Sequence, residues 1–267
     1  MSRLPAVFAR AREARRKALV IYLTAGDPDH ETSGRLMRAA IDAGADIIEV
    51  GMPWSDPSAD GPAIQGAMQR ALAGGGGLGR SLALCRSVRD AHPDAGLVLF
   101  GYANPIVIVG PEVFAKRAAE AGADAVLAVD YPPDEDGELT SALTRQGLDF
   151  IPLLAPTSTP PRVAAAAAAA GGFIYYVSFT GITGAALTDL EGPRAHVEAI
   201  RAATGNRLPV VVGFGVRTPE AARAVAAFAD GVVVGSAAVE IVRKAIEAKR
   251  DPVPELSSFV RALRAVV

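Results

Sequence analysis

Apolar residues in this chain fall into short, nearly unbroken runs. Eight stand apart, at residues 18–24, 47–50, 97–101, 125–129, 150–154, 173–178, 210–212 and 231–234. Strict alternation would mark strands with one wet face. Continuous β-branched runs mark strands buried on both faces, the habit of parallel strands covered by helices. Helix-like stretches separate the runs. One follows Asp29 and reaches about Ala43, one runs from near Pro62 to Ala73, and one runs from Pro111 to Ala121. Others fall near 138–146, 160–170, 192–203 and 219–229. Several open with proline, whose missing N–H costs nothing in a first turn. A short amphipathic helix is expected within residues 1–17, with Val7 and Phe8 on its apolar side.

The return from helix to strand repeats itself. Ala43-Gly44-Ala45-Asp46 precedes the second run, Ala121-Gly122-Ala123-Asp124 the fourth, and the looser Phe228-Ala229-Asp230-Gly231 the eighth. Glycine there suits a left-handed helix C-cap, so these read as structural turns without chemistry. Eight β/α units predict an α/β fold, a closed (β/α)8 TIM barrel forming a single domain over residues 1–267. An N-terminal helix and an extra short helix after the eighth strand complete it. A doubly wound open sheet would usually carry G-x-G-x-x-G after its first strand, where this chain has Thr24-Ala25-Gly26-Asp27-Pro28. The glycine-rich stretch 74–79 reads as a flexible helix end or loop, not a boundary.

Composition narrows the function classes. Half of the 267 residues are hydrophobic and 21% are charged, ample for a large core, so general disorder is excluded. The net charge of −2 offers no electrostatic case for nucleic acid or a membrane surface. The single cysteine, Cys85, excludes a disulfide framework and any multi-cysteine metal site. His30, His92 and His196 lie far apart and are expected on the solvated surface. No secretory pattern is present and no apolar stretch reaches the ~20 residues of a membrane span, so a soluble cytoplasmic protein is expected.

In a barrel the chemistry sits at the C-terminal ends of the strands and in the loops beyond them. Glu49 is the most informative residue there, because it lies within Ile47-Ile48-Glu49-Val50. A carboxylate among such neighbours is costly to bury charged, so its pKa is expected to rise, as a proton shuttle requires. Asp56 and Asp60 share the Pro/Gly-rich loop after the second strand. One of them is expected to be a turn former, and spacing alone does not say which faces the site. Gly181-Ile182-Thr183-Gly184, Gly213-Phe214-Gly215 and Gly235-Ser236 follow the sixth, seventh and eighth strands. Such segments let backbone N–H groups approach an anion, and a helix starting at Ser236 would aim its N-terminus at it, so a phosphate site is expected. Residues 178–189 form a candidate lid. The lysines Lys17, Lys116, Lys244 and Lys249 avoid the strand ends, which argues against a Schiff-base aldolase.

The loop Met52-Pro53-Trp54-Ser55-Asp56-Pro57-Ser58-Ala59-Asp60-Gly61-Pro62-Ala63-Ile64-Gln65 resembles the signature of the tryptophan synthase alpha-subunit family. So do Leu23-Thr24-Ala25-Gly26-Asp27-Pro28, Tyr102-Ala103-Asn104-Pro105-Ile106, Tyr176-Val177-Ser178 through Gly184, and Gly213-Phe214-Gly215-Val216. The resemblance spans nearly the whole chain. It implies a barrel lyase of tryptophan biosynthesis that cleaves indole-3-glycerol phosphate to indole and glyceraldehyde 3-phosphate. On that resemblance Glu49 is the acid/base acting at indole C3 and on the glyceryl hydroxyl, and Asp60 the carboxylate at the indole N–H. Tyr175 matches a site tyrosine near Glu49. Thr183, Gly184, Gly215, Gly235 and Ser236 match substrate- and phosphate-binding positions, and Tyr22, Phe100 and Phe214 the indole pocket. No cofactor or metal is implied for this chain. Pyridoxal phosphate is expected only in a partner beta subunit, within an alpha-beta-beta-alpha heterotetramer. Departures from the family pattern are Trp54 in place of the usual Phe, Phe100 in place of a smaller Leu, Phe179-Thr180 in place of a more basic pair, and the Asp130-Tyr131-Pro132-Pro133 variant.

Three other readings remain at this point. A stand-alone lyase releasing free indole would keep the same carboxylates. A regulatory barrel without catalysis is opposed by the presence of both Glu49 and Asp60. A sugar-phosphate isomerase or epimerase fits the glycine segments but leaves the 53–65 loop without a role.

Overall fold

The computed structural model describes residues 1–132, 137–177, 190–213 and 215–267. Its centre is one parallel sheet of nine strands: β1 Ala18–Thr24, β2 Ile47–Gly51, β3 Gly96–Gly101, β4 Ala125–Ala128, β5 Asp149–Phe150, β6 Leu153–Leu154, β7 Ile174–Val177, β8 Val210–Gly213 and β9 Gly231–Val234. The hydrogen-bonded order is β5-β4-β3-β2-β1-β9-β8-β7-β6. Its two ends, β5 and β6, are separated in the chain only by Ile151 and Pro152, so the sheet closes on itself. The Ile151 N–H donates to the Val126 carbonyl on one side, and the Pro152 carbonyl accepts from the Tyr175 N–H on the other. The apolar run at 150–154 therefore forms two two-residue strands instead of one. Pro152 has no N–H to give to a ladder.

The helices are α1 Leu4–Glu13, α2 His30–Asp42, α3 Pro62–Ala73, α4 Leu78–Ala91, α5 Ala103–Val109, α6 Pro111–Glu120, α7 Glu138–Arg145, α8 Pro160–Ala169, α9 Glu191–Ala203, α10 Pro219–Ala226, α11 Ser236–Glu247 and α12 Pro252–Arg264. The helix opening at Ser236 runs 12 residues, a full element. Three helices were not expected from spacing: α4, α5 and α12. In α4 the glycine-rich approach hides a stripe of Leu82, Cys85 and Val88 that is buried, so Leu78 and Gly79 belong to a helix and not to a loop. None of the helices is long and apolar enough to cross a membrane among the described residues.

Two apolar cores follow from strands buried on both faces. One lies between the sheet and the helices and includes Leu36, Met37, Ile48, Leu99 and Val212. The other fills the barrel, with Val20, Val98, Leu127 and Val211, and receives Leu4, Val7 and Phe8 from α1. Phe8 meets Phe173 edge-on at 5.8 Å between ring centroids. α1 thus seals the N-terminal end of the barrel and leaves the opposite mouth for chemistry.

The repeated helix-to-strand turns carry more than a cap. Gly44 and Gly122 hold φ of 111° and 80°, as a left-handed C-cap requires. Each following aspartate accepts a backbone N–H from the neighbouring strand. Asp46 takes it from Leu19, Asp124 from Leu97 and Asp230 from Val210, each at 2.9 Å. Each is also paired with arginine: Asp46 with Arg264 at 2.9 Å, Asp124 with Arg89 at 2.6 Å, and Asp230 with Arg201 at 3.0 Å. These carboxylates pin strand register at the rim away from the mouth.

Candidate active site

Glu49 lies in the middle of β2, opposite Tyr22 of β1 and Val98 of β3. Its side chain enters the barrel and is 1% exposed. Among the described residues its Oε1 has no hydrogen-bond partner. Burial without a compensating partner disfavours the charged form and pushes the carboxyl from 4.5 up to about 8. At neutral pH this burial favours the protonated form of Glu49.

Asp60 ends the loop between β2 and α3 and faces the same cavity as Glu49. Tyr102, the first residue after β3, donates its hydroxyl to Asp60 Oδ2 at 2.7 Å. The same hydroxyl accepts the Ala59 N–H at 3.1 Å. Burial raises the Asp60 carboxyl, and the Tyr102 bond opposes the rise by favouring the charged form. Asp56 is exposed and turns toward Ser55. Of the two loop carboxylates, Asp60 faces the cavity and Asp56 shapes the turn.

The cavity holds about 230 Å³. Tyr22, Phe100 and Tyr175 form much of its wall, together with Ile64, Val129 and Leu153. Tyr22 stands edge-on to Phe100 at 5.1 Å, and its hydroxyl lies 3.2 Å from Thr24 Oγ1. The two tyrosine rings fit because the facing positions are glycine. A Cβ on Gly51 would come within 2.5 Å of Tyr22 Cζ, and one on Gly213 within 2.7 Å of Tyr175 Cζ. Gly213, Gly215, Gly235 and Ser236 line the part of the cavity formed by β8 and β9. Gly235 is the N-cap of α11 and makes no side-chain cap bond there. The first-turn N–H groups and the dipole of α11 thus favour an anion at this wall. Gly215 holds φ of 47°, a left-handed backbone that favours glycine.

A model of the family described as tryptophan synthase alpha chain matches residues 8–267. The Methylococcus capsulatus tryptophan synthase alpha chain is 47% identical over 269 aligned residues, covering 99% of this chain and 100% of that one. The Zymomonas mobilis alpha chain is 43% identical over 267, covering 100% and 97%. A crystal structure of tryptophan synthase subunit alpha from Legionella pneumophila superposes with a TM-score of 0.92 at 38% identity, covering 100% of this chain and 98% of that one. The chain belongs to the tryptophan synthase alpha chain family.

Membership gives the chain the alpha-subunit role in tryptophan biosynthesis and makes it, in broad class, a lyase. The free-standing indole-releasing alternative is not favoured. As in the family's structural relatives, the architecture is a TIM barrel. Of the residues named from the sequence, Glu49, Asp60, Tyr22, Phe100, Tyr175, Gly215, Gly235 and Ser236 meet at one cavity. Thr183, Gly184 and Phe214, and the candidate lid at 178–189, lie outside the described residues. The enlarged Phe100 is part of the wall, whereas Trp54 is not.

Sequence reasoning missed Tyr102 as the partner of Asp60, because the two lie 42 positions apart and meet only through adjacent β/α units. It also misjudged the histidines, all of which are partly buried. His196 stacks on Tyr176 at 5.6 Å and 17°. His92 Nε2 lies 3.7 Å from Asp42 Oδ1. Contacts such as these come from elements distant in the chain, which local polarity does not report. None of the three lines the cavity. Among the described residues no group of His, Cys, Asp and Glu has a metal-binding arrangement.

Proposed function

We propose that this chain cleaves indole-3-glycerol phosphate to indole and glyceraldehyde 3-phosphate, with Glu49 and Asp60 as its catalytic carboxylates. Glu49 enters protonated and gives its proton to indole C3. The ring becomes an indolenine, and the charge developing at its N–H is stabilised by Asp60. The carboxylate left on Glu49 then takes the proton from the glyceryl hydroxyl. The carbon–oxygen double bond of the aldehyde forms, the C–C bond breaks, and its electron pair returns to the ring. Glu49 ends protonated, so the cycle is balanced without a cofactor or metal in this chain. Tyr22, Phe100 and Tyr175 bound the apolar side of the substrate. The backbone at Gly215, Gly235 and Ser236 receives the phosphate, and binding energy from that remote group positions the reacting atoms.

One observation carries the reading. A buried carboxyl, its Oε1 without a partner among the described residues and its pKa near 8, shares a 230 Å³ cavity with a second carboxylate and with the N-terminus of α11. A retro-aldol step needs a donor, a charge stabiliser and an anchor for the anionic tail, and these three groups meet that need. The partner on this reading is a tryptophan synthase beta subunit, which would hold pyridoxal phosphate and take up the indole. Val107 and Ile108 on α5 support a protein partner at the mouth, since they are 61% and 72% exposed beside the β3 strand end. A small phosphorylated metabolite as substrate fits a cytoplasmic enzyme. The test is indole release from indole-3-glycerol phosphate by the purified chain, repeated with a beta subunit. Release that rises on adding the beta subunit supports the reading, and no release in either condition overturns it.

A further inference from the structure

Asp60 is useful only if its carboxylate is aimed, yet it ends an exposed loop. Two elements hold it from different directions. Tyr102, at the end of β3, holds the carboxylate itself. The backbone is held by Gln65, the fourth residue of α3, whose side-chain Nε2 donates to the Asp60 carbonyl at 2.8 Å. The same nitrogen lies 3.5 Å from the Pro57 carbonyl. Between these carbonyls the Asp60 N–H closes a turn onto Pro57 at 3.1 Å. The Gln65 amide therefore ties both ends of the turn that presents Asp60 to the first turn of α3. Its neighbour Ile64 lies in the cavity wall, so the helix that carries Gln65 is itself seated against the site.

We infer that Gln65 is a positioning residue for the lyase reaction, acting through the Asp60 backbone without touching substrate. The inference rests on the proposed role of Asp60. An amide suits the task because both facing groups are acceptors. A carboxylate of the same shape would present acceptors to acceptors, and an apolar side chain of the same length would release the Asp60 carbonyl and leave the Pro57 carbonyl only the Asp60 N–H. A small misplacement of a group that acts only in the transition state lowers turnover far more than substrate binding.

The experiment compares Gln65→Met, Gln65→Glu, Gln65→Asn and Asp60→Asn, all as full chains. It reads kcat and KM for indole release, inhibition by inorganic phosphate, and Tm. For Gln65→Met and Gln65→Glu, kcat is expected to fall by about tenfold to a hundredfold. KM and phosphate inhibition should stay within about twofold, since the anion wall is built from β8, β9 and α11. Gln65→Asn, which keeps the donor on a shorter stem, should lose less than Gln65→Met. Unchanged kcat in Gln65→Met overturns the inference. So does a fall in kcat matched by weaker phosphate inhibition and lower Tm, which would mark a merely structural residue. Should Gln65→Met not fold, the Gln65→Glu and Gln65→Asn pair decides in the same way. Asp60→Asn with normal turnover would instead remove the reading of Asp60 on which the inference rests.

Discussion

The Tyr102 hydroxyl donates to Asp60 Oδ2 at 2.7 Å while accepting the Ala59 N–H from the same loop. The bond favours the charged form of Asp60 against the burial that disfavours it. Tyr102→Phe should therefore raise the Asp60 carboxyl further and move the acidic limb of the kcat/KM profile to higher pH. Loss of a hydrogen bond to a charged group costs about 1.5–3 kcal/mol, so turnover at neutral pH should fall by about tenfold or more. A pH–rate profile identical to that of the parent would contradict this role.

On the proposed mechanism, Glu49 links catalysis to stability. Its folded pKa of about 8 lies above the ordinary 4.5, so the folded state binds the extra proton. Stability is thus fully present below about 4.5, declines as pH rises from 4.5 to 8, and is level above that. The upper bound on the decline is roughly 5 kcal/mol, at about 1.36 kcal/mol per unit. Glu49→Gln removes the ionisation and should flatten the curve, raising Tm relative to the parent at pH 8–9. The same variant should lose ~10²–10⁴ in turnover. Chemical denaturation across pH, with kinetics on the same samples, reads both.

Gly51 leaves room for Tyr22. Gly51→Ala would drive a Cβ into the phenol, whose hydroxyl and Cζ are the nearest atoms, and push the ring into the cavity. Activity should fall, and Tyr22→Phe in the same chain should restore part of it by removing the first atom struck. Equal activity of the single and double variants would show that the ring is not the obstacle.

Gly235 stands against Tyr22, with a Cβ there 3.3 Å from Tyr22 Cβ. Gly235→Val would fill space at the start of α11. Affinity for phosphate-bearing ligands should fall more than affinity for indole. Equal loss for both, measured by competition, would argue against an anion site at this wall.

Asp124 and Arg89 are buried together far from the mouth. Arg89 also donates to the Gly122, Pro93 and Ala95 carbonyls. Arg89→Met leaves the Asp124 carboxylate without its main partner and should cost about 3–5 kcal/mol in denaturant unfolding. Turnover per folded molecule should be unchanged, because the pair holds register and not chemistry.

The barrel was legible in the chain because parallel strands buried on both faces leave continuous β-branched runs, and those runs are local. Glu49 was legible for the same reason: a carboxylate inside an apolar strand declares its own desolvation. The glycines after the last two strands were legible as part of the mouth, and Gly213, Gly215 and Gly235 line the cavity there. Tertiary structure alone decided which loop aspartate turns inward, that Tyr102 and Gln65 hold it, and that Gly51 and Gly213 exist to seat two tyrosine rings. It also turned the Asp46, Asp124 and Asp230 turns from simple caps into register pins. Each of these depends on a side chain meeting an adjacent β/α unit across the closed sheet. Periodicity measures what a residue's own segment buries, and it holds no record of what the next strand brings alongside.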